Sequence, residues 1–197
     1  MDDWLQALSQ DTAEVARRAR ESLVTVAQEG VGAGSGVLWA PGVVVTNAHV
    51  ARRSRSIVRL ASGQEAAARR SGRDPRRDLA LLEIDPTIGS PAAIGDSMAL
   101  RPGEWIGAIG NPWGVPGGMT AGIVIDAKAG PNGGLLALDL HLRPGHSGGA
   151  VVNARGEVVG INTMMNGPDV GLAVSSAVVR AFLAEAGLRK AVFRRAA

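Results

Sequence analysis

The chain contains no cysteine, so no disulfide staples it and every mechanism built on a cysteine nucleophile is excluded. Stability must then come from the packed core. Long apolar runs are missing too: no stretch approaches the roughly 20 residues that span a bilayer. The amino terminus, Met1-Asp2-Asp3-Trp4-Leu5-Gln6, has neither a basic region nor an apolar one behind it. A cytoplasmic, soluble chain is the expectation, with a periplasmic or envelope location if the amino terminus is trimmed. An excess of one charge is also lacking, since 21 Lys+Arg face 18 Asp+Glu, and this imbalance is too small to imply a nucleic-acid partner. The glycine-rich run at 30–36 has neither the register nor the following lysine of a phosphate-binding loop or dinucleotide fingerprint. The three histidines have no cysteine or carboxylate at metal-ligand spacing. No metal and no cofactor are expected, and no internal repeat is visible.

What is present is a chain of 197 residues, 46% of them apolar, with 27 glycines and 10 prolines between short Val, Ile and Leu runs. That texture fits an all-β domain of many short strands, a sandwich or a pair of barrels. Trp4, Leu5, Leu8, Thr12, Val15, Ala16 and Ala19 share one helix face, so residues 1–20 are read as an amino-terminal helix whose role is packing. From Ser22 the period becomes that of strands. Runs at 23–26, 36–39, 43–46, 56–60, 65–70 and 79–84 give a first barrel within 21–90. After a proline-bounded connection, runs at 105–109, 122–125, 135–140, 150–152, 157–162 and 171–174 give a second within 91–175. Val178, Val179, Phe182, Leu183 and Ala186 mark a carboxy-terminal helix that Gly187 stops, and a basic tail completes 176–197.

Three segments carry the chemistry. Thr46-Asn47-Ala48-His49-Val50 sets a histidine at the end of an apolar strand, and Arg77-Asp78-Leu79-Ala80 sets a carboxylate just before another. Either alone would read as a strand cap. Gly145-His146-Ser147-Gly148-Gly149 then places a serine in a turn where only backbone surrounds it. Glycine at these positions permits positive φ, so that the N–H groups of Gly145 and Ser147 can converge on one point. A serine hydroxyl needs an imidazole to take its proton, and the imidazole needs a carboxylate to fix its tautomer. His49, Asp78 and Ser147 fill those roles in the order His, Asp, Ser. His146 is a poor rival base because neighbouring side chains in a turn diverge, and His141 lies too close along the strand leading into the same turn.

These segments, with Gly34-Ser35-Gly36-Val37, Arg73-Asp74-Pro75-Arg76-Arg77-Asp78-Leu79-Ala80-Leu81-Leu82, Gly110-Asn111-Pro112-Trp113-Gly114 and Gly160-Ile161-Asn162-Thr163, resemble the protease domain of the HtrA/Deg family over about residues 22–186. The resemblance implies two six-stranded antiparallel barrels of the chymotrypsin kind with the active site in the cleft between them. It implies hydrolysis of peptide bonds in unfolded or extended protein segments. It maps the triad onto His49, Asp78 and Ser147 and the oxyanion hole onto the N–H groups of Gly145 and Ser147. The expectation is that the chain departs from the family in having no PDZ domain after Gly187 and no export signal, and it carries His146 where Asn is usual. Trimers built through the amino-terminal segment are the family's assembly.

Substrate is expected to add as a strand along Ile161-Asn162-Thr163, with His141, Leu142 and Arg143 completing a pocket wall beside Ile161 and Thr163. No acidic residue stands at the pocket base, so a medium aliphatic residue is expected before the cut. The segment 111–118 is of the kind that supports or withdraws the Gly145 turn, and a turn withdrawn at rest would leave the enzyme latent. The arginines at 17–20, 52–55, 69–77 and 189–195 read as solvated surface rather than a nucleic-acid patch. The alternative function is a latent or degenerate protease retained as a protein-binding scaffold.

Overall fold

The computed structural model describes residues 3–188; the arginine-rich tail at 189–195 lies outside them. Helix α1 (Asp3–Ser22) begins with Asp3 in its first turn, where a carboxylate complements the helix dipole. Glu14 pairs with Arg17 and Arg18, and Arg17 pairs with Glu21, each at 2.7 Å. Such exposed pairs add only a few tenths of a kcal/mol apiece. What seats the helix is a stripe of Val15, Ala16, Ala19 and Ser22, all buried. The expected packing face therefore holds only in the second half: Trp4, Leu5 and Leu8 remain 62, 54 and 50% exposed.

The first barrel comprises β1 (Leu23–Gln28), β2 (Gly32–Ala40), β3 (Val43–Thr46), β4 (Arg55–Leu60), β5 (Glu65–Asp74) and β6 (Leu79–Glu83), closed in the order β1-β2-β3-β6-β5-β4. Closure is made by β1 against β4, from Val24↔Leu60 to Ala27↔Ile57. Buried and exposed residues alternate along β4 and the start of β5, as a sheet with one dry face requires. The second barrel comprises β7 (Trp105–Gly110), β8 (Gly118–Ala129), β9 (Leu135–Asp139), β10 (Ala150–Asn153), β11 (Val158–Asn166) and β12 (Val170–Ser175), closed in the order β10-β11-β12-β9-β8-β7. Both barrels are six-stranded and antiparallel.

Several strands run longer than composition predicts. The strand read at 36–39 starts at Gly32, that at 122–125 spans Gly118–Ala129, and that at 157–162 continues to Asn166. Cross-strand pairing overrides the weak β-propensity of glycine here: Gly32, Ala33 and Gly34 pair with Gln28, Ala27 and Val26.

Each barrel fills its interior with its own apolar cluster, around Val26, Val44 and Val58 in the first and Ile106, Leu136 and Leu138 in the second. A third cluster joins them, with Val37, Val45 and Leu81 facing Ile109, Ile161 and Val174. Val15 and Ala19 of α1 and Val179, Phe182 and Leu183 of α2 (Ser176–Glu185) complete that cluster. Ser175 caps α2 by accepting the Val178 N–H. Gly187, at φ 82°, ends it as the sequence predicts, with the Leu188 N–H donating to the Leu183 carbonyl at 2.9 Å. Because the barrels are locked by apolar packing, the loops they bring together are held in fixed register.

Candidate active site between the two barrels

His49 follows β3, Asp78 immediately precedes β6, and the Ser147 turn leads into β10, so the three elements converge where the barrels meet. The His49 Nδ1 lies 2.8 Å from Asp78 Oδ2 and 3.0 Å from Oδ1, and the His49 backbone N–H donates to Oδ1 at 3.1 Å. Thr163 Oγ1 donates to Asp78 Oδ2 at 2.5 Å. Burial pushes the Asp78 carboxyl up, but the hydrogen bonds from His49 and Thr163 outweigh it and hold it below the ordinary carboxylate range. An ionised carboxylate only accepts, so the His49 proton sits on Nδ1 and the Nε2 lone pair is left free. Asp78 adopts φ 53°, a conformation few residues other than Gly, Asn and Asp tolerate, and the Asn47 side chain secures it by donating to the Asp78 carbonyl at 3.0 Å.

The Ser147 hydroxyl donates to the Thr163 carbonyl at 3.3 Å, a long bond, and makes none to the His49 ring. Around it the turn is braced from three sides. Ser35 Oγ donates to the Gly145 carbonyl at 2.7 Å and accepts the Asn111 N–H at 3.0 Å. The Asn111 N–H also reaches the Gly145 carbonyl, at 3.1 Å, and the Trp113 N–H donates to the Pro144 carbonyl at 2.9 Å. A trans peptide points its N–H opposite to its C=O. With the Pro144 carbonyl engaged by Trp113, the Gly145 N–H faces the other way, and among the described residues neither it nor the Ser147 N–H has an acceptor. Gly145 needs its glycine twice over: φ is 101°, and a Cβ there would overlap the Asn111 carbonyl oxygen.

His146 is buried and turned away from His49. Its Nδ1 accepts the Arg143 N–H at 3.0 Å while its own N–H donates to the Arg143 carbonyl, so the residue closes the turn from inside. Burial pushes its pKa down, the Arg143 carbonyl partly opposes this, and the Arg143 charge adds to it. Its Nε2 is buried without a hydrogen-bond partner among the described residues.

The expected substrate wall is assembled only in part. Ile161 and Asn162 are fully buried and occupied on both sides: Ile161 pairs with Ala150 and Val174, and Asn162 exchanges hydrogen bonds with Gly148 and Gly149 while pairing with Ala173. Neither has a backbone edge to offer. The open edge begins at Thr163 and continues through Met164 and Met165, which pair with β12 on one side alone. His141 and Arg143 are exposed, whereas Leu142 is buried, its N–H lying 3.2 Å from Met165 Sδ. The methionines carried no signal in sequence because a Met beside a strand end looks like ordinary core.

Other supports were equally silent. Gln28, buried at the end of β1, accepts the N–H groups of Arg52 and Arg53 and donates to the carbonyls of Arg53 and Arg55, fixing the chain that follows His49. Arg52, Arg70 and Arg73 donate to carbonyls of His49, Ala51, Arg52 and Ala48. Arginines read as solvated surface thus also support the histidine loop. Arg59, Arg69 and Arg77 pair with Glu65, Glu83 and Asp74 plus Glu185.

Residues 34–161 match the family model of the trypsin-like peptidase domain. The periplasmic serine endoprotease DegP of Salmonella typhimurium is 39% identical over 163 residues, covering 75% of this chain and 34% of DegP. Serine protease HTRA1B of Danio rerio is 38% identical over 172 residues, covering 82% of this chain and 36% of the relative. A solved structure of the HtrA-type protease AlgW with a tripeptide superposes with a TM-score of 0.80 at 31% identity, over 90% of this chain and 64% of that one. The chain spans about a third of the length of these curated relatives. No helix among the described residues is long and apolar enough to cross a membrane. Matched across both barrels and through the Ser147 turn, the chain belongs to the trypsin-like peptidase domain family, and its relatives there are DegP and HtrA proteases.

Proposed function

We propose that this chain is a serine endopeptidase in which Ser147 attacks the scissile carbonyl, His49 acts as base and then acid, and Asp78 orients the imidazole. The observation that carries the proposal is the pair of unoccupied N–H groups of Gly145 and Ser147 in a braced turn, beside an imidazole whose free nitrogen is Nε2. As the Ser147 Oγ–carbon bond forms, the hydroxyl proton passes to Nε2 and the carbonyl oxygen, now negative, takes the two N–H donors. Collapse breaks the C–N bond, Nε2 returns the proton to the departing amine, and water hydrolyses the resulting ester by the same route. Asp78 stays ionised throughout, as its lowered pKa requires.

Substrate lies along the open edge from Thr163 to Met165, where its backbone N–H donates to the Thr163 carbonyl. That contact displaces the Ser147 hydroxyl from the same carbonyl and frees it to turn to His49. The substrates proposed are unfolded or extended protein segments, since pairing along an edge accepts many sequences. Purified protein incubated with unfolded casein is expected to yield peptides, and Ser147→Ala none; equal cleavage by both would refute the assignment.

The braced turn favours an enzyme competent at rest over a latent one, and no observation favours the scaffold reading. Two further proposals accompany this one. Exposure of Trp4, Leu5 and Leu8 supports assembly through α1, with trimers tested by sedimentation equilibrium. For location, the DegP relatives support the periplasm over the cytoplasm expected from sequence, and fractionation of the source cell decides between them.

A further inference from the structure

A cleft of about 820 Å³ opens beside the serine turn and is separate from the substrate wall. Gly145, one of the two oxyanion donors, lines it with Pro144 and Gly34, so the cleft adjoins the oxyanion turn. None of residues 141–143 or 161–165 lines it. A polypeptide running from the Thr163 edge across Ser147 therefore leaves the catalytic turn into this cleft, which takes the segment following the cut. Its volume is that of a ligand site.

The chemistry of the lining is one-sided. Two guanidinium groups, Arg20 and Arg59, border the cleft, and no acidic residue does among the described lining. Arg59 is already neutralised by Glu65 at 2.6 Å. Arg20 is not: its Nε donates to the Gly117 carbonyl at 2.8 Å, and among the described residues it makes no ion pair. One bond to a carbonyl holds the guanidinium in place while its terminal nitrogens remain available, the arrangement that suits a carboxylate. Trp113, 71% exposed, and Pro116 supply an apolar wall beside it. The backbone that carries Trp113 is fixed, at φ 54° with its N–H committed to the Pro144 carbonyl.

We propose that this cleft is the subsite for the residues after the scissile bond and that Arg20 selects a carboxylate there. The proposal rests on the peptidase reading. Two sources share this chemistry, an Asp or Glu side chain and the free carboxyl terminus of a short leaving segment. Both bring a negative charge to the one uncommitted cation in the cleft.

The test measures kcat/KM on internally quenched peptides with Glu, Gln or Lys at each of the first three positions after the cut. A second set ends two or three residues past the cut, as free acids or as amides. A peptidyl anilide, which has no residue beyond the cut, reports the chemistry by itself. Wild type is expected to favour Glu over Gln by about 1.5-fold to fivefold at one of these positions, the range of an exposed charge pair, and to disfavour Lys. If the terminal carboxylate is the ligand, the free acids show that preference over the amides instead. Within each variant the ratio of acidic to neutral peptide is read, so a general loss of activity cancels. The ratio is expected to fall to about one in Arg20→Gln and to survive in Arg20→Lys. Equal rates for acidic and neutral peptides in wild type, or a preference kept in Arg20→Gln, would overturn the subsite. Absence of anilide hydrolysis by wild type would instead overturn the peptidase reading and the subsite with it.

Discussion

Replacing Ser35 by alanine removes the side chain through which β2 of the first barrel bonds directly to the oxyanion turn. Its hydroxyl is fully buried, donates to the Gly145 carbonyl at 2.7 Å and accepts the Asn111 N–H at 3.0 Å. Two buried hydrogen bonds are worth about 1–3 kcal/mol together. The Gly145 carbonyl keeps its 3.1 Å bond from Asn111 N–H, which places the cost in the lower half, at about 1–2 kcal/mol. Felt at the turn, that is a loss of about 5-fold to 30-fold in kcat/KM. It also lowers Tm by roughly 2–4 °C per kcal/mol in a protein of this size. Ser176→Ala is the matched control: Ser176 is buried, and its hydroxyl donates to the Gly95 carbonyl at 2.9 Å and accepts the Ser97 N–H at 3.2 Å, away from the turn. Both variants should melt earlier, and only Ser35→Ala should lose turnover of a peptidyl anilide beyond its loss of folded protein. Equal kcat/KM in the two variants, at a temperature where both are folded, would refute the brace.

Thr163→Val removes one of the donors that hold Asp78 ionised, and kcat/KM should fall about tenfold. Because the folded pKa of Asp78 is depressed, its contribution to stability is complete above the unfolded value of 3.8 and is lost as pH falls through the folded one. Raising the folded pKa in Thr163→Val should move acid unfolding to higher pH; an unmoved midpoint between pH 2 and 5 would contradict this. His146 runs the other way, since burial lowers the pKa of a group that charges on protonation. The unfolded chain binds that proton more readily, so stability should fall as pH drops through about 6.5. His146→Asn should flatten the dependence of Tm on pH between 7.5 and 5.5, and parallel curves for the two proteins would count against the buried imidazole as its source.

How far the site could be read in advance depended on what kind of residue carried each part. His49, Asp78 and Ser147 stood out because each interrupts an apolar or glycine-rich segment with a group whose chemistry has few other uses there. The barrels were legible from turn residues and short β-branched runs, and their ends were not, because pairing extends strands through glycines such as Gly32 and Gly34. Gln28, Ser35 and Arg20 act across 24 to 110 residues of chain, and no local pattern announces such contacts. The edge expected along 161–163 is free only from Thr163 onward, because local sequence does not reveal that Ile161 and Asn162 are paired on both sides.

The central claim is that Ser147 is a nucleophile activated by His49 in a turn already formed at rest. Fluorophosphonate labelling of the untreated protein, followed by mass spectrometry of its peptides, tests it most directly. The account predicts rapid stoichiometric modification confined to the peptide that contains Ser147. It predicts none in Ser147→Ala, and a rate lower by at least about 1000-fold in His49→Ala. An unmodified wild-type protein, or labelling that is as fast without His49, would contradict it.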